Sequence, residues 1–175
     1  MPIFTSLLLL FAALALMSLA LRSTGLARER RQHSLDEAKM ATGALICEAA
    51  ARDAFGVELD HSIESIAKLD ALISEGWSAQ TADPITDASG EQSFVLSSYL
   101  GDVFVRHSGA RWRADDTGWS LGFPKLNLIA EPFDLIARKL SDIENVSLQH
   151  ESDLLLNELN RLRNPAVSSQ DSSIG

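Results

Sequence analysis

Asp102 and Arg106 stand four residues apart in a segment of helical period, which sets a carboxylate beside a guanidinium on one helix face. Buried, such a pair can hold a ligand; exposed, it is the ordinary i, i+4 surface pair, and that is the simpler reading. Arg111 and Arg113 flank Trp112 in a run of strand period, so both guanidinium groups share one face. They can receive an acidic partner or a carboxylate through forked hydrogen bonds, although a solvated sheet face accounts for the same two residues. Asp102, Arg106, Arg111 and Arg113 are therefore the candidate contacts to a partner or ligand.

The other chemically capable residues are scattered. His33, His61, His107 and His150 include no pair at the helical or short-loop spacing that brings two imidazoles onto one metal, and they read as surface or capping residues. Cys47 is the single cysteine, so an intramolecular disulfide and a cysteine-based zinc site are both excluded. It lies in an apolar helical stretch without a histidine beside it, as a small core residue does. A phosphate-cradling glycine loop, a G-x-S-x-G elbow and an H-E-x-x-H helix are all missing from the sequence. The expectation is a protein with no catalytic residues, no cofactor and no metal, with an enzyme of unrecognised type as the alternative.

The elements that would position these residues follow from periodicity. Residues 35–55 read as an alanine-rich helix with a stripe of Ala38, Ala41, Leu45 and Ala49, stopped at Gly56. Ser62 can cap a second helix with the stripe Ile63, Ile66, Leu69 and Ile73, ended by Gly76. A third helix presents Leu96, Tyr99, Leu100, Val103 and Phe104 and exits at Gly109. The period then drops to two around Trp112, and again at Trp119, Leu121 and Phe123, with Asp115 to Gly118 as a hairpin turn. A third apolar run, Leu126 to Ala130, completes a three-stranded antiparallel meander. Two further helices carry Phe133, Ile136, Leu140 and Ile143, then Leu148, Leu155, Leu159 and Leu162, before Asn164 and Pro165. The fold class is α+β: helices packed on a small antiparallel sheet, over residues 34–164, followed by a polar, disordered tail at 165–175.

Ahead of this domain, Pro2 to Leu21 carries no charged side chain and has no polar face. About 20 such residues span the roughly 30 Å core of a bilayer, so residues 1–22 are expected to be one transmembrane helix, touching lipid through residues 3–21. Ser18 and Ala20 also suit a cleavable signal peptide, which would leave the domain secreted or periplasmic, but the apolar run is long for one and has no basic start. Arg22, Arg28, Arg30 and Arg31 make residues 23–33 a basic linker and orient the domain toward the cytoplasm. Setting aside those four arginines and Glu29, the formal charge falls from −9 to −12. A domain this acidic repels phosphate backbones, so nucleic acid is not an expected partner.

Leu59-Asp60-His61-Ser62-Ile63-Glu64-Ser65, Leu69-Asp70, and Tyr99-Leu100-Gly101-Asp102-Val103 leading to Gly109-Ala110-Arg111-Trp112 resemble an uncharacterised bacterial domain family. That family places an "LDxSxxSLxxLD" helix before a "YLGEV…GGxW" helix-to-strand passage. The likeness runs from about Val57 to about Leu140, where Pro132-Phe133 and Arg138-Lys139-Leu140 resemble the following segment. Asp102 stands where the family has glutamate, and Ala110 where it has a second glycine. The resemblance implies a small helix-plus-sheet domain and brings no catalytic residues. A membrane-tethered, non-enzymatic interaction or regulatory domain is the expected function, with an immunity protein neutralising a basic toxin as the first alternative.

Overall fold

The structure, a computed structural model, describes residues 32–76, 88–116, 118–124, 126–141 and 146–164. Contacts divide the chain into Met1–Leu35 and Asp36–Gly175, and the fold belongs to the second unit. The expected anchor, most of the basic linker and the tail lie outside the described residues. Among those described, no helix is long and apolar enough to cross a membrane.

Helix α1 (32–55) is already helical at Gln32 and His33, which sequence placed in the linker. Its buried face is Met40, Gly43, Ala44, Cys47 and Ala51, at the spacing of one helical stripe. The expected stripe lies on the opposite side: Ala38 and Ala41 are exposed, and Leu45 is 58 % exposed. Alanine fits either face, so it does not choose one. Gly43 does, because a Cβ there would lie 2.5 Å from Ser98 Oγ, and only a bare backbone admits the facing helix so closely.

Helix α2 (Ser65–Glu75) buries Ile66, Leu69, Leu72 and Ile73 and ends at Gly76, whose left-handed φ of 116° turns its N–H back onto Leu72 O. Helix α3 (Ala88–Ser108) buries Leu96, Tyr99, Leu100, Val103 and Phe104, as its spacing predicts. Each such side chain taken from water stabilises the fold by about 1.5–3 kcal/mol before entropy is subtracted.

Gly109, at φ 69°, releases the chain into β1 (Arg111–Asp115), which turns back into β2 (Gly118–Phe123) and then β3 (Leu128–Ala130). The sheet is antiparallel in the order β1-β2-β3. β1 pairs along its full length with β2, from Arg111↔Gly122 to Asp115↔Gly118, whereas β2 meets β3 only at Leu121↔Ala130, Gly122↔Ile129 and Phe123↔Leu128. β3 is shorter than the apolar run suggests, because Leu126 N–H closes a turn onto Phe123 O and Asn127 adopts a positive φ of 47°.

Two helices complete the layer. Helix α4 (Pro132–Ser141) turns Ile136 inward with Phe133 and Leu140 half-buried; Ile143 of its expected stripe lies outside the described residues. Helix α5 (Leu148–Arg163) starts under a Ser147 cap, which accepts from His150 N–H at 3.2 Å. Trp112 is the keystone between layers. It is 3 % exposed, sits on Gly101, where a Cβ would come within 2.0 Å of its ring, and meets Phe133 edge-on at 6.2 Å. Leu69, Tyr99 and Trp112 thus belong to one core cluster.

Candidate functional site

The connection from α1 to α2 gathers a dense polar arrangement among the described residues. Asp60 Oδ1 accepts from Ser62 N–H at 3.1 Å and from Ser62 Oγ at 2.6 Å, a local turn in which the serine hydrogen bonds hold the carboxyl below its ordinary range. Ser62 Oγ in turn accepts from Ser65 N–H at 3.1 Å, but it fastens the turn ahead of α2 rather than capping it: the residue before the helix is Glu64, whose side chain makes no cap hydrogen bond, so the expected Ser62 cap is displaced. Between them His61 takes a φ of 59°, a left-handed conformation uncommon for a side chain with a Cβ.

That conformation is fastened from three sides. His61 N–H donates to Tyr99 Oη at 2.9 Å, and its carbonyl accepts from His107 Nε2 at 2.8 Å. The ring is 4.9 Å from that of Tyr99 and lies between two carboxylates, Asp102 Oδ2 at 2.8 Å from Nδ1 and Glu48 Oε2 at 3.3 Å from Nε2. Asp102 stands off the line of a ring N–H, so this contact is one of charge proximity rather than an aligned hydrogen bond. Arg106 Nε, at 2.6 Å, occupies the same oxygen of Asp102. Tyr99, Asp102, Arg106 and His107 reach this connection from α3, and Glu48 reaches it from α1.

Protons on the hydroxyls are assigned by elimination. Ser65 Oγ donates to Ser62 O at 2.6 Å, so its contact with Tyr99 Oη, also 2.6 Å, is donated by the tyrosine. A directed chain runs from His61 N–H through Tyr99 and Ser65 to Ser62 O. Burial raises the Tyr99 pKa against the opposing effect of its hydrogen bonds, which keeps the phenol protonated and donating. Ser65 is therefore engaged away from the imidazole, and no serine–histidine relay exists in this cluster.

A second polar cluster ties down the middle of the same helix, at Asp70. Lys139 Nζ is 2.7 Å from Asp70 Oδ1 and donates to Val146 O at 2.9 Å; Ser147 Oγ donates to Asp70 Oδ2 at 3.0 Å. It clips α2 to α4 and to the start of α5.

The four residues that sequence singled out are not gathered into one site. Asp102 is largely buried and Arg106 exposed, joined as an i, i+4 pair whose inner end is the histidine. Arg111 and Arg113 are exposed on β1, and no described contact links them to Asp102 or Arg106. His61 is the main correction: it is buried, not a surface residue, and its backbone carbonyl receives His107. Glu48, Tyr99 Oη and Ser65 were not anticipated, and neither was the pairing of Asp70 with Lys139. The available signal was the 3–4 spacing of Tyr99, Asp102 and Arg106, which puts polar groups along the border of an apolar face. Cys47 is buried, and desolvation, followed by the charge of Glu48, pushes its thiol far up, so it is no thiolate nucleophile.

The described clefts lie elsewhere. The largest, about 450 Å³, is a notch beside β3 bordered by Trp119, Ser120, Ile129, Glu131, Phe133 and Asp134. A second, about 260 Å³, shares Ile129, Glu131 and Asp134 and continues toward Arg138, Glu151 and Leu155. A third, about 280 Å³, opens between Gly109, Pro124 and Arg163. None is lined by His61, Glu48, Tyr99 or Asp102. Among the described residues, no three histidine, cysteine, aspartate or glutamate side chains are arranged to hold a metal ion. Compared with protein-family models, curated proteins and solved structures, the chain matches none.

Proposed function

We propose that the chain is a membrane-tethered, non-enzymatic interaction domain that offers the β2–β3 side of its sheet to a protein partner. Pro2–Leu21 serves as the tether, and the arginines at 22, 28, 30 and 31 hold the domain on the cytoplasmic side. One observation carries the reading. The reactive side chains point at one another inside the α1–α2 connection, whereas the notch has apolar, aromatic and carboxylate walls with neither imidazole nor thiol. Complementarity to a partner needs shape, apolar surface and charge, and the notch offers all three through its cleft, the exposed Ile129 and the Glu131 and Asp134 carboxylates.

The test is a photo-cross-linking amino acid placed at Ile129, on the notch, and at Arg52, on exposed α1, in the protein's own cell. A discrete adduct of higher mass from Ile129 and none from Arg52 is expected. Failure of Ile129, Ser120 and Glu131 positions alike to give an adduct would refute the reading.

A further inference from the structure

Among the described residues, the short third strand pairs only Leu121, Gly122 and Phe123 of the second. β2 pairs with β1 from Gly118 to Gly122, but on its other side the ladder ends at Leu121↔Ala130, because the chain leaves the sheet at Glu131 to begin α4. Residues 118–120 therefore face the notch.

Ladder phase shows which backbone groups are involved. In an antiparallel pair, successive residues send both N–H and C=O alternately to one neighbour and to the other. Phe123 O accepts from Leu126 N–H, at the start of the β3 connection, so Phe123 faces the β3 side. Two and four residues back, Leu121 and Trp119 face the same way. Leu121 meets Ala130; Trp119 meets no strand among the described residues, and no described hydrogen bond engages its N–H or C=O. Trp119 is half-buried and open to the void of about 450 Å³. A donor and an acceptor with no partner among the described residues, at a sheet edge with side-chain walls beside them, form a template for another extended chain.

The walls select the sign of the guest. Glu131 is exposed and its carboxylate has no described partner, and Asp134 adds a second carboxylate, 3.2 Å from Arg138 Nε. Glu151 lines the adjoining cleft, which shares Ile129, 57 % exposed, as an apolar step between the two. The charged residues that line the two clefts are Glu131, Asp134 and Glu151 against Arg138 alone, with Lys39 outside the lining, 5.8 Å over the Trp119 ring, so the lining carries a net negative charge.

We infer that the notch takes an extended, basic segment of a partner protein, paired backbone to backbone with Trp119, its cationic side chains against Glu131 and Asp134 and its apolar ones on Ile129. This deepens the interaction reading and rests on it. Pairing supplies affinity without sequence preference, and the carboxylates supply the preference for lysine or arginine.

The experiment uses the full chain in mild detergent and three short peptides: acetyl-Val-Arg-Val-Arg-Val-amide, its Glu-for-Arg counterpart, and the basic peptide with its central valine N-methylated. The basic peptide should bind and slow exchange of the Trp119 amide, while the acidic and N-methylated peptides should fail. Glu131→Gln with Asp134→Asn should weaken the basic peptide by at least about fivefold, the effect of losing two part-exposed charge contacts. Equal binding of acidic and basic peptides, or binding that leaves Trp119 exchange unchanged, would overturn the inference. So would failure of the basic peptide alongside a positive Ile129 cross-link, in which case the notch has a partner of other chemistry and the interaction reading survives.

Discussion

The α1–α2 connection and the notch beside β3 both set polar groups among apolar ones, and they use them in opposite ways. At His61 the backbone donor, the carbonyl and Nε2 are hydrogen-bonded within the chain, to Tyr99, His107 and Glu48, while Nδ1 lies beside Asp102 without an aligned hydrogen bond. At the notch, the N–H and C=O of Trp119 and the carboxylate of Glu131 meet no described partner. The difference separates polar groups that hold the fold from polar groups that remain available to a second molecule. Buried polar groups that bond one another across elements rigidify the structure, and their removal is read in stability. Exposed groups at an open edge contribute little to stability, and their removal is read in binding.

Trp112 spans both regions, seated on Gly101 of α3 and against Phe133 of α4, so its loss should be the largest effect. Trp112→Ala is expected to lower unfolding free energy by about 3–5 kcal/mol, measured by urea unfolding of the full chain. Gly101→Ala approaches the same contact from the other side and should cost about 1–3 kcal/mol by overpacking. A tolerated alanine at 101 would mean that the seat is looser than 2.0 Å allows.

Next comes the histidine network. Tyr99→Phe keeps the ring and removes only the hydroxyl, stranding His61 N–H and leaving Ser65 without its donor. A buried donor left without a partner costs about 1–3 kcal/mol, and that loss is expected here. If the variant unfolds within about 0.5 kcal/mol of the parent, the network is not what holds the left-handed turn, and the contrast with the notch breaks down.

How much of this was legible follows from sequence separation. The α3 stripe and the meander are written in local periods of 3.6 and 2, so Leu96 to Phe104 and Trp112 to Phe123 were readable. The face of α1 was not, because alanines occur on both sides and the choice rests on Gly43 meeting Ser98 from another helix. His61 lies 13 residues from Glu48, 38 from Tyr99 and 46 from His107, and no local pattern reports partners that far apart. Of the candidate contacts, the i, i+4 relation of Asp102 and Arg106 and the shared strand face of Arg111 and Arg113 were readable, and the first pair proves to be the outer edge of the buried cluster. The notch was invisible for another reason: it depends on where β3 stops, and strand ends are set by the turn at Asn127 and the exit at Glu131 rather than by hydrophobicity.

Arg111 and Arg113 offer a smaller and more discriminating test, since they share a strand face and sequence treats them alike. The structure does not. A Cβ on Gly122 would lie 2.6 Å from Arg113 Cδ, so the stem of Arg113 covers Gly122, which is buried although it sits where strand alternation places an outward residue. Long basic side chains cover apolar surface with their stems, at about 0.8 kcal/mol for each methylene withdrawn from water. Arg113→Ala should therefore cost about 1 kcal/mol, and Arg113→Met, which keeps a stem, should recover most of it. Arg111→Ala should stay within about 0.5 kcal/mol. Equal losses at both positions would show that the sheet face is solvated throughout.

The smallest expected effect bears most directly on the comparison. Glu131 lies just ahead of α4, and its carbonyl accepts from Leu135 N–H, so its side chain is close to the positive end of that helix. A negative charge there helps by about 0.3–1 kcal/mol at low salt when exposed, and less in physiological salt because the position is open to water. Glu131→Gln should thus lower stability by no more than about 0.5 kcal/mol, and 0.5 M salt should erase even that. The same substitution should measurably weaken the basic peptide, so the two readouts part at a single residue. Tyr99→Phe must show the reverse, a clear loss of stability with peptide affinity unchanged once the folded fraction is taken into account. Were Glu131→Gln to cost as much stability as Tyr99→Phe, its carboxylate would be committed to the fold, and the notch would be one more structural joint rather than an open edge.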